Sequence, residues 1–270
     1  MPGTRIPLVP VSRVMRKPVI VEPETPATRV RRLFRDLRLR IVAVAGPDGK
    51  LQGVIKRTGV LRFTSTKSEA QARDIMEDVP FTLSEANTVK DAFRLMTKYD
   101  EWYGIVVGAS WRVHGVVGME DFVRLGLEEA PEMLKSRRVS EIMSGDVVYV
   151  RPEDSISRIW RMMESLGYAG FPVVNEKGRL VGIITQYDLI RKGYTRIELE
   201  SESGPKPGPR VSEAMTYSVE YAYPWTSVEE VARMIVERGY GRIPVVDGPR
   251  TRVLVGVVDR EDVARLVVGG

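Results

Sequence analysis

Residues 139–190 carry the sequence VSEIMSGDVVYVRPEDSISRIWRMMESLGYAGFPVVNEKGRLVGIITQYDLI, and residues 211–266 repeat its main features. Each of these passages begins a short distance before a methionine, Met143 or Met215, and weaker copies begin near Met15 and Met76. The four copies recur roughly every 60–70 residues. A repeat of this length indicates one supersecondary unit used four times, so it determines the architecture before any single residue does.

The third copy predicts the order strand, helix, strand, strand, helix. Short β-branched runs bounded by Pro152 and a tight turn favour the strands, and apolar residues at helical spacing favour the first helix, which Gly167 ends. The predicted bounds are 147–150, 156–166, 171–174, 180–185 and 186–192. Asp154 is predicted to cap the first helix, and Thr226 with Glu229 is predicted to form a capping box in the fourth copy.

The predicted fold class is therefore α/β (α+β), with four repeats of this unit. Their predicted bounds are 8–66, 70–126, 136–193 and 208–268. A unit of about 50 structured residues buries too little apolar surface to be stable alone, so we expect the repeats to pair, the first with the second and the third with the fourth. Residues 194–210 are rich in Glu, Ser, Pro and Gly and are predicted to form a mobile loop.

Composition narrows the class of protein. The 270 residues are 43% hydrophobic and 29% charged, as in globular proteins. No apolar run approaches the roughly 18 residues of a membrane span, and the N-terminus lacks a signal-peptide pattern, so a cytoplasmic protein without membrane partners is expected. The absence of Cys and the single His114 exclude thiolate nucleophiles, disulfides and most zinc sites. An excess of Arg over Lys suggests a thermophile, and the net charge of +5 does not discriminate among anionic partners.

The third copy, from Ile142 to Ile190, resembles a CBS (cystathionine-β-synthase) domain through GYAGFPVVNEKGRLVGIITQYDLI. The fourth copy is similar through GYGRIPVVD and VGVVDREDV, the second moderately so, and the first only in outline. Four such repeats without a catalytic domain resemble the γ subunit of AMP-activated protein kinase and its archaeal relatives. The resemblance implies paired repeats, called Bateman modules, whose clefts bind AMP, ADP, ATP or S-adenosylmethionine. It therefore implies an energy-sensing regulatory protein with no activity of its own.

Thr185 and Asp188 mark the strongest candidate site, where a predicted strand runs into a helix. A carboxylate at that point can accept hydrogen bonds from both hydroxyls of a ribose. The Thr hydroxyl and the backbone N–H groups that begin the helix suit a phosphate. The alternative is that Asp188 only caps its helix, since Asp is favoured in the first turn.

The other copies differ at these two positions. The corresponding pairs are Asp259 and Asp262 in the fourth copy, Gly118 and Asp121 in the second, and Lys56 and Gly59 in the first. The fourth copy keeps the carboxylate but adds a second anion, which near a phosphate costs on the order of 1 kcal/mol and calls for an Arg, a metal ion or a ligand without phosphate there. The first copy lacks a carboxylate, so its site is expected to be empty.

The family resemblance also implies that the paired repeat supplies the base pocket of each site. The implied residues are Thr216, Tyr221, Gly241 and Arg242 for the Asp188 site; Ser144, Tyr149, Ala169 and Gly170 for the Asp262 site; and Arg16, Val21, Arg40 and Ile41 for the Asp121 site. Glycine lets a purine edge approach the backbone closely. Arg242 could pair with a phosphate bidentately, or it could be a solvated residue at the start of a strand.

Two further functions stay open at this stage. The predicted first helix of the first copy places three arginines opposite its apolar residues; they are Arg31, Arg35 and Arg38, opposite Val30, Leu33, Phe34 and Leu37. Such a face could bind nucleic acid or an acidic protein, or it could simply be solvated. Catalysis has little support, because there is no Walker loop and the one histidine, His114, is predicted to lie on a strand, where a Ser–His–Asp set is not plausible. We expect no catalytic cofactor or resident metal, and a protein partner or a second copy of the chain as the receiver of the signal.

Overall fold

Each copy is built around a β-hairpin whose second strand leads directly into a helix. The computed structural model of the chain describes residues 6–62, 69–194 and 209–269. The strands in these ranges are β1 (Ile20–Val21), β2 (Ile41–Ala45), β3 (Leu51–Lys56), β4 (Thr82–Leu83), β5 (Tyr103–Val107), β6 (Val113–Gly118), β7 (Gly170–Val174), β8 (Leu180–Thr185), β9 (Arg242–Val246) and β10 (Leu254–Asp259). The α-helices are α1 (Val11–Val14), α2 (Ala27–Asp36), α3 (Arg57–Arg62), α4 (Ala72–Ile75), α5 (Val89–Lys98), α6 (Met119–Glu129), α7 (Pro131–Ser136), α8 (Ile156–Leu166), α9 (Gln186–Lys192), α10 (Val211–Ala214), α11 (Val228–Arg238) and α12 (Arg260–Gly269). The predicted α/β fold of four repeats is confirmed, and in the third copy the bounds of both helices and of β8 are those predicted.

The hairpin strands pair antiparallel in all four copies, β2 with β3, β5 with β6, β7 with β8 and β9 with β10. In the first two copies a short parallel strand, β1 or β4, extends the sheet. The strand predicted at 147–150 is wrong in extent, because only Val150 pairs there, as a single bridge to Val173.

Proline explains why that strand is short. In the first copy the backbone N–H of Ala43 donates to Val19 at 3.0 Å and extends the ladder. The corresponding residue of the third copy is Pro172, which has no N–H to donate. Pro244 has the same effect in the fourth copy, where only Ala222 forms a bridge to the hairpin.

Two predicted helix caps are wrong by one residue. Ser155, not Asp154, caps α8, and its hydroxyl accepts a hydrogen bond from the Arg158 N–H at 3.3 Å. Ser227, not Thr226, caps α11. The rejected residues stabilise the preceding turn instead, since each accepts a hydrogen bond from a backbone N–H three residues upstream.

The arginine face predicted for the first copy is shorter than expected. α2 ends at Asp36, and Leu37, predicted to lie on the apolar side, is 57% exposed. Arg38 has a positive φ of 52°, and its guanidinium lies 5.4 Å from the centre of the Tyr187 ring. Arg38 therefore packs on an aromatic ring instead of extending a basic helix face.

The described residues form two compact units, each with its own core. Unit 1 comprises the described parts of 1–18, 79–147 and 220–270, and unit 2 those of 19–78 and 148–219. In unit 1, α6 packs against α11 and α12 around Phe122. In unit 2, α9 packs against α2 and α3 around Phe34 and Phe171. Unit 1 thus holds the hairpins of the second and fourth copies, and unit 2 those of the first and third.

Near the start of each copy, a short segment packs against the hairpin of another copy; we call these the four crossing segments. Each contributes a methionine that lies against a strand glycine: Met15 against Gly115, Met76 against Gly53, Met143 against Gly256 and Met215 against Gly182. The next residue forms a backbone bridge to that strand; these bridges are Arg16 with Val116, Glu77 with Val54, Ser144 with Val257 and Thr216 with Ile183. A Cβ on any of the four glycines would come within 3.0 Å of the methionine sulfur, and at Gly53 and Gly182 also within 2.9 Å of a backbone carbonyl oxygen, so a side chain there would displace the crossing segment. These four contacts connect the first copy with the second and the third with the fourth.

Residues 195–208 of the predicted mobile loop lie outside the described residues. None of the helices in the described ranges is long and apolar enough to span a bilayer.

Filling one of these glycine positions should destabilise the fold. In Gly182→Ala the new methyl group would lie 2.9 Å from the Thr216 carbonyl oxygen and 3.0 Å from the Met215 sulfur. We expect a loss of about 1–3 kcal/mol in the free energy of unfolding, measured by urea denaturation. Gly145→Ala is the control, because nothing lies within 4 Å of its Cβ position, and it should be neutral or slightly stabilising. Equal stabilities of the two variants would contradict a packing requirement at Gly182.

Candidate ligand-binding sites

The candidate sites lie where the second hairpin strand runs into a helix. At three of the four junctions, an aspartate at the third helical position accepts a hydrogen bond from the N–H of the residue that ends the strand. The three aspartates are Asp121, Asp188 and Asp262. This contact is half of a capping box, and it fixes the direction in which each carboxylate points.

Asp188 has the complete capping box. Its Oδ2 accepts from the Thr185 N–H at 2.9 Å and from the Thr185 hydroxyl at 2.5 Å, and its own N–H donates back to that hydroxyl at 3.2 Å. The Asp188 side chain is 6% exposed. The capping alternative raised by the sequence is therefore real, but it engages only one of the two carboxylate oxygens.

Thr216 reaches the other oxygen from a crossing segment. Its hydroxyl donates to Asp188 Oδ1 at 3.0 Å, and its backbone bridge to Ile183 holds it there. Arg191, one turn further along α9, lies 3.6 Å from the same oxygen, which is beyond hydrogen-bond distance. Oδ1 is thus held by one neutral hydroxyl, a contact that a ligand hydroxyl can replace.

The junction of the fourth copy carries two carboxylates. Asp259 N–H donates to Asp262 Oδ2 at 2.8 Å, and Arg242 lies 3.4 Å from Asp259 Oδ2. Arg242, which belongs to the same copy, therefore offsets the charge of the second carboxylate, Asp259. Burial, and then the charge of Asp259, raise the pKa of the Asp262 carboxyl to about 7.

The junction of the second copy is enclosed by arginines. The Asp121 side chain is fully buried; Arg16 Nε lies 2.7 Å and Arg124 Nη1 2.9 Å from its Oδ1. Arg16 also binds Glu120, with 2.7 Å between Nη2 and Oε1. Burial raises the pKa of the Asp121 carboxyl, and the positive charge of Arg16 opposes that shift.

The junction of the first copy has the opposite arrangement of charge. Lys56 ends the strand, and its Nζ lies 3.3 Å from Oε2 of Glu77, which comes from a crossing segment. Gly59 stands where the other copies have Asp, and a Cβ there would be 2.8 Å from the Ile75 carbonyl oxygen. A side chain at that position would displace the backbone, which accounts for the missing carboxylate.

Two buried arginines beside the junctions were not singled out from the sequence. Arg260 is 3% exposed and donates to Glu120 at 2.7 Å and to the Tyr103 hydroxyl at 2.8 Å. Arg57 is 7% exposed, and its guanidinium lies 5.3 Å from the ring centre of Tyr187. Because Arg is rarely buried unless it is paired, composition alone does not predict that these two arginines are buried. The available signal was that an Arg directly follows the strand in both the first and the fourth copy.

The remaining predicted site residues divide between the units. Ser144, Tyr221, Gly241 and Arg242 lie in unit 1, and Val21, Arg40, Ile41, Tyr149, Ala169 and Gly170 lie in unit 2. Ser144 lies in the same unit as Asp262 and bridges Val257, two residues before Asp259, where the strand ends. Where a predicted site draws on both units, its composition stays a prediction. Among the described residues no group of three or more His, Cys, Asp or Glu is placed to hold a metal ion.

The raised pKa of Asp262 predicts a pH effect on stability. Between the ordinary pKa of 3.8 and about 7, the folded protein keeps a proton that the unfolded chain has lost, so stability falls as pH rises through this window. Asp262→Asn removes this cost. The difference in free energy of unfolding between Asp262→Asn and the parent is measured by chemical denaturation at pH 5 and at pH 8. This difference should shift in favour of the variant by on the order of 1 kcal/mol or more at pH 8 compared with pH 5.

Asp91→Asn provides the matched control for that experiment. Asp91 occupies the same capping position in α5, and its hydrogen bond from the Thr88 hydroxyl lowers its pKa. Since that pKa lies below both test values, Asp91→Asn should change stability equally at pH 5 and pH 8. A pH-independent effect of Asp262→Asn as well would contradict the raised pKa.

Comparison with known proteins identifies the family. The fold is similar to that of protein MJ1225 from Methanocaldococcus jannaschii, proposed to be an archaeal homologue of γ-AMPK, with a TM-score of 0.82 and 22% identity over 95% of this chain and 99% of that one. An uncharacterized protein of the same organism, MJ1404, is 24% identical over 272 residues, which cover 96% of this chain but only 62% of that protein. The chain thus spans less than two thirds of the length of this relative.

Relatives in the family bind adenosine ligands. CBSX2 has been solved in complex with AMP, and the CBS domain pair of MJ0100 in complex with 5′-methylthioadenosine and S-adenosyl-L-methionine. Each matches about half of this chain, 48% and 49%, with a TM-score of 0.41, which is too low to argue for a particular ligand here. Four segments of this chain, residues 11–65, 72–128, 139–194 and 211–269, match the CBS domain. The chain therefore belongs to the CBS domain family.

Proposed function

We propose that the protein is a non-catalytic regulator that binds an adenosine-containing ligand at the site around Asp188. AMP, ADP or ATP is the proposed ligand, with S-adenosylmethionine as the alternative. The observation that carries the proposal is the unequal use of the two carboxylate oxygens of Asp188. One is fixed by the capping box of Thr185, and the other is held by the single hydroxyl of Thr216.

This arrangement suits a ribose. The capping box orients the carboxylate before any ligand arrives, so binding does not have to order it. A ribose hydroxyl that displaces Thr216 from Oδ1 replaces one neutral donor by another and leaves no buried oxygen unsatisfied. A hydrogen bond to a charged acceptor contributes about 1.5–3 kcal/mol, which is enough to make Asp188 decisive for affinity.

The Asp262 site ranks second. Its carboxyl has a pKa of about 7, so near neutral pH it is partly protonated and accepts hydrogen bonds less well than an ionised Asp. Arg242 already neutralises the neighbouring Asp259 at 3.4 Å. The first copy is proposed to bind no ribose, because Gly59 offers no acceptor.

Regulation is proposed to act through the pairing of the first copy with the second and of the third with the fourth. The crossing segments support this pairing, because Asp121 and Asp188 are each contacted by a residue from the partner copy. A ligand shifts the arrangement of the copies only as far as it binds one arrangement better than another. A protein partner, or a second copy of this chain, is proposed to receive that shift.

The absence of catalysis is supported by how the reactive groups are used. The Thr185 hydroxyl is engaged with Asp188, and His114 lies on β6, where its Nδ1 is 2.7 Å from Glu85 Oε1. In these positions the described residues offer the Thr185 hydroxyl no base other than the carboxylate that caps the helix.

Thermal melting with AMP, ATP and S-adenosylmethionine tests the proposal. A ligand at 100 times its Kd should stabilise the folded protein by about 2.7 kcal/mol, and Asp188→Ala should abolish that gain. Asp91→Ala is the control, since it removes an equivalent helix cap in unit 1 and should leave the ligand-induced shift intact. The proposal fails if none of the three ligands raises the melting temperature, or if Asp188→Ala keeps the full shift.

A further inference from the structure

The Asp121 and Asp188 sites share one backbone arrangement but receive different side chains from the crossing segment. In both, the residue after the crossing methionine bridges the strand that leads to the junction, Arg16 to Val116 and Thr216 to Ile183. In both, the aspartate accepts a hydrogen bond from the N–H of the last strand residue. The crossing residue is therefore one difference between the two sites, beside Gly118 in place of Thr185 at the end of the strand.

Arg16 fills the space before the Asp121 carboxylate. Its Nε lies 2.7 Å from Oδ1 and 2.9 Å from Oδ2, so one N–H group spans both carboxylate oxygens, including the Oδ1 that a ribose hydroxyl would use. Its Nη2 is anchored on Glu120 at 2.7 Å. The enclosed Asp121 side chain has no exposed surface, whereas that of Asp188 retains 6%.

Charge makes this contact hard to displace. Arg stays protonated at any physiological pH, so its bonds to Asp121 and Glu120 are charge-assisted, while ribose hydroxyls are neutral. A ligand that removed Arg16 from Asp121 would also disturb its bond to Glu120. At Asp188 the crossing segment contributes the neutral Thr216 hydroxyl instead, and Arg191 stays at 3.6 Å, beyond hydrogen-bond distance.

We propose that Arg16 occupies the ribose position at Asp121 and keeps this site closed to adenosine ligands, and that the residue after the crossing methionine decides which sites are open. The inference rests on the proposed function for the ligand class, and adds a specificity-determining residue to it. Threonine at that position permits binding, and arginine excludes it.

The Arg16→Thr variant should fold, because the groups around the deleted guanidinium keep other partners. Asp121 retains Arg124 and the Gly118 N–H, and Glu120 retains Arg260. The bridge to Val116 uses only backbone atoms. Arg13→Thr is the matched control, since Arg13 forms a more exposed ion pair with Glu129 in the same unit, away from the carboxylate.

Counting bound AMP by isothermal titration or equilibrium dialysis tests the inference. Arg16→Thr should bind one AMP more per chain than the parent, and Arg16→Thr with Asp121→Asn should return to the parent count. Arg13→Thr should leave the count unchanged. The reciprocal variant Thr216→Arg should bind one AMP fewer, because it carries the closing residue to the Asp188 site.

An unchanged or reduced count in Arg16→Thr overturns the inference, and a reduced count would mean that Arg16 itself contacts the ligand. An unchanged count in Thr216→Arg overturns it as well, and this variant decides the matter if Arg16→Thr does not fold. If the parent binds no AMP, AMP binding in the proposed function is refuted. If the parent binds AMP but Arg16→Thr binds the same number per chain, only the closure by Arg16 is refuted.

Discussion

The contact between a methionine of one copy and a strand glycine of another organises the rest of the molecule. At each of the four crossings the methionine sulfur lies 2.6–3.0 Å from the position of a Cβ on the glycine, and the next residue bridges the same strand. Because close-packed interiors leave no room for an extra methyl group, the crossing segment has one position along the strand. The residue after the methionine is thereby placed a few residues from the neighbouring strand–helix junction, where it can contact the candidate carboxylate.

The carboxylates at those junctions stabilise the start of a helix whether or not a ligand binds to them. Each aspartate accepts a hydrogen bond from the N-cap N–H and so stabilises the start of the helix that follows. This local role is sufficient to explain an Asp at that position, so the aspartate alone does not mark an open site. The difference between Asp121 and Asp188 comes from across the chain, from Arg16 and Thr216.

The buried arginines show a second way in which the copies differ. Arg260 binds Glu120, which also receives Arg16, so the carboxylate beside Asp121 is shared by two guanidinium groups within unit 1. In unit 2 the corresponding contact is the stacking of Arg57 on the ring of Tyr187, beside Asp188. A buried ion pair needs compensation from every side, whereas an arginine on an aromatic ring does not compete for the carboxylate next to it. This leaves Asp188 with fewer charged neighbours than Asp121.

The sequence by itself determined the repeated unit, the hairpins, the helix bounds of the third copy and the position of the candidate carboxylates. These features depend on residues close together in the chain, such as the alternation in LVGIIT and the Thr185–Asp188 spacing. Finer local features were missed where two neighbouring residues could serve as a cap, as with Asp154 and Ser155, or where Pro172 removed a donor. Tertiary structure alone decided that Arg16 closes on Asp121, that Thr216 reaches Asp188, and that Arg57 and Arg260 are buried. These contacts join residues more than 25 positions apart, or depend on packing between copies, and their energies come from burial and charge that no local pattern encodes.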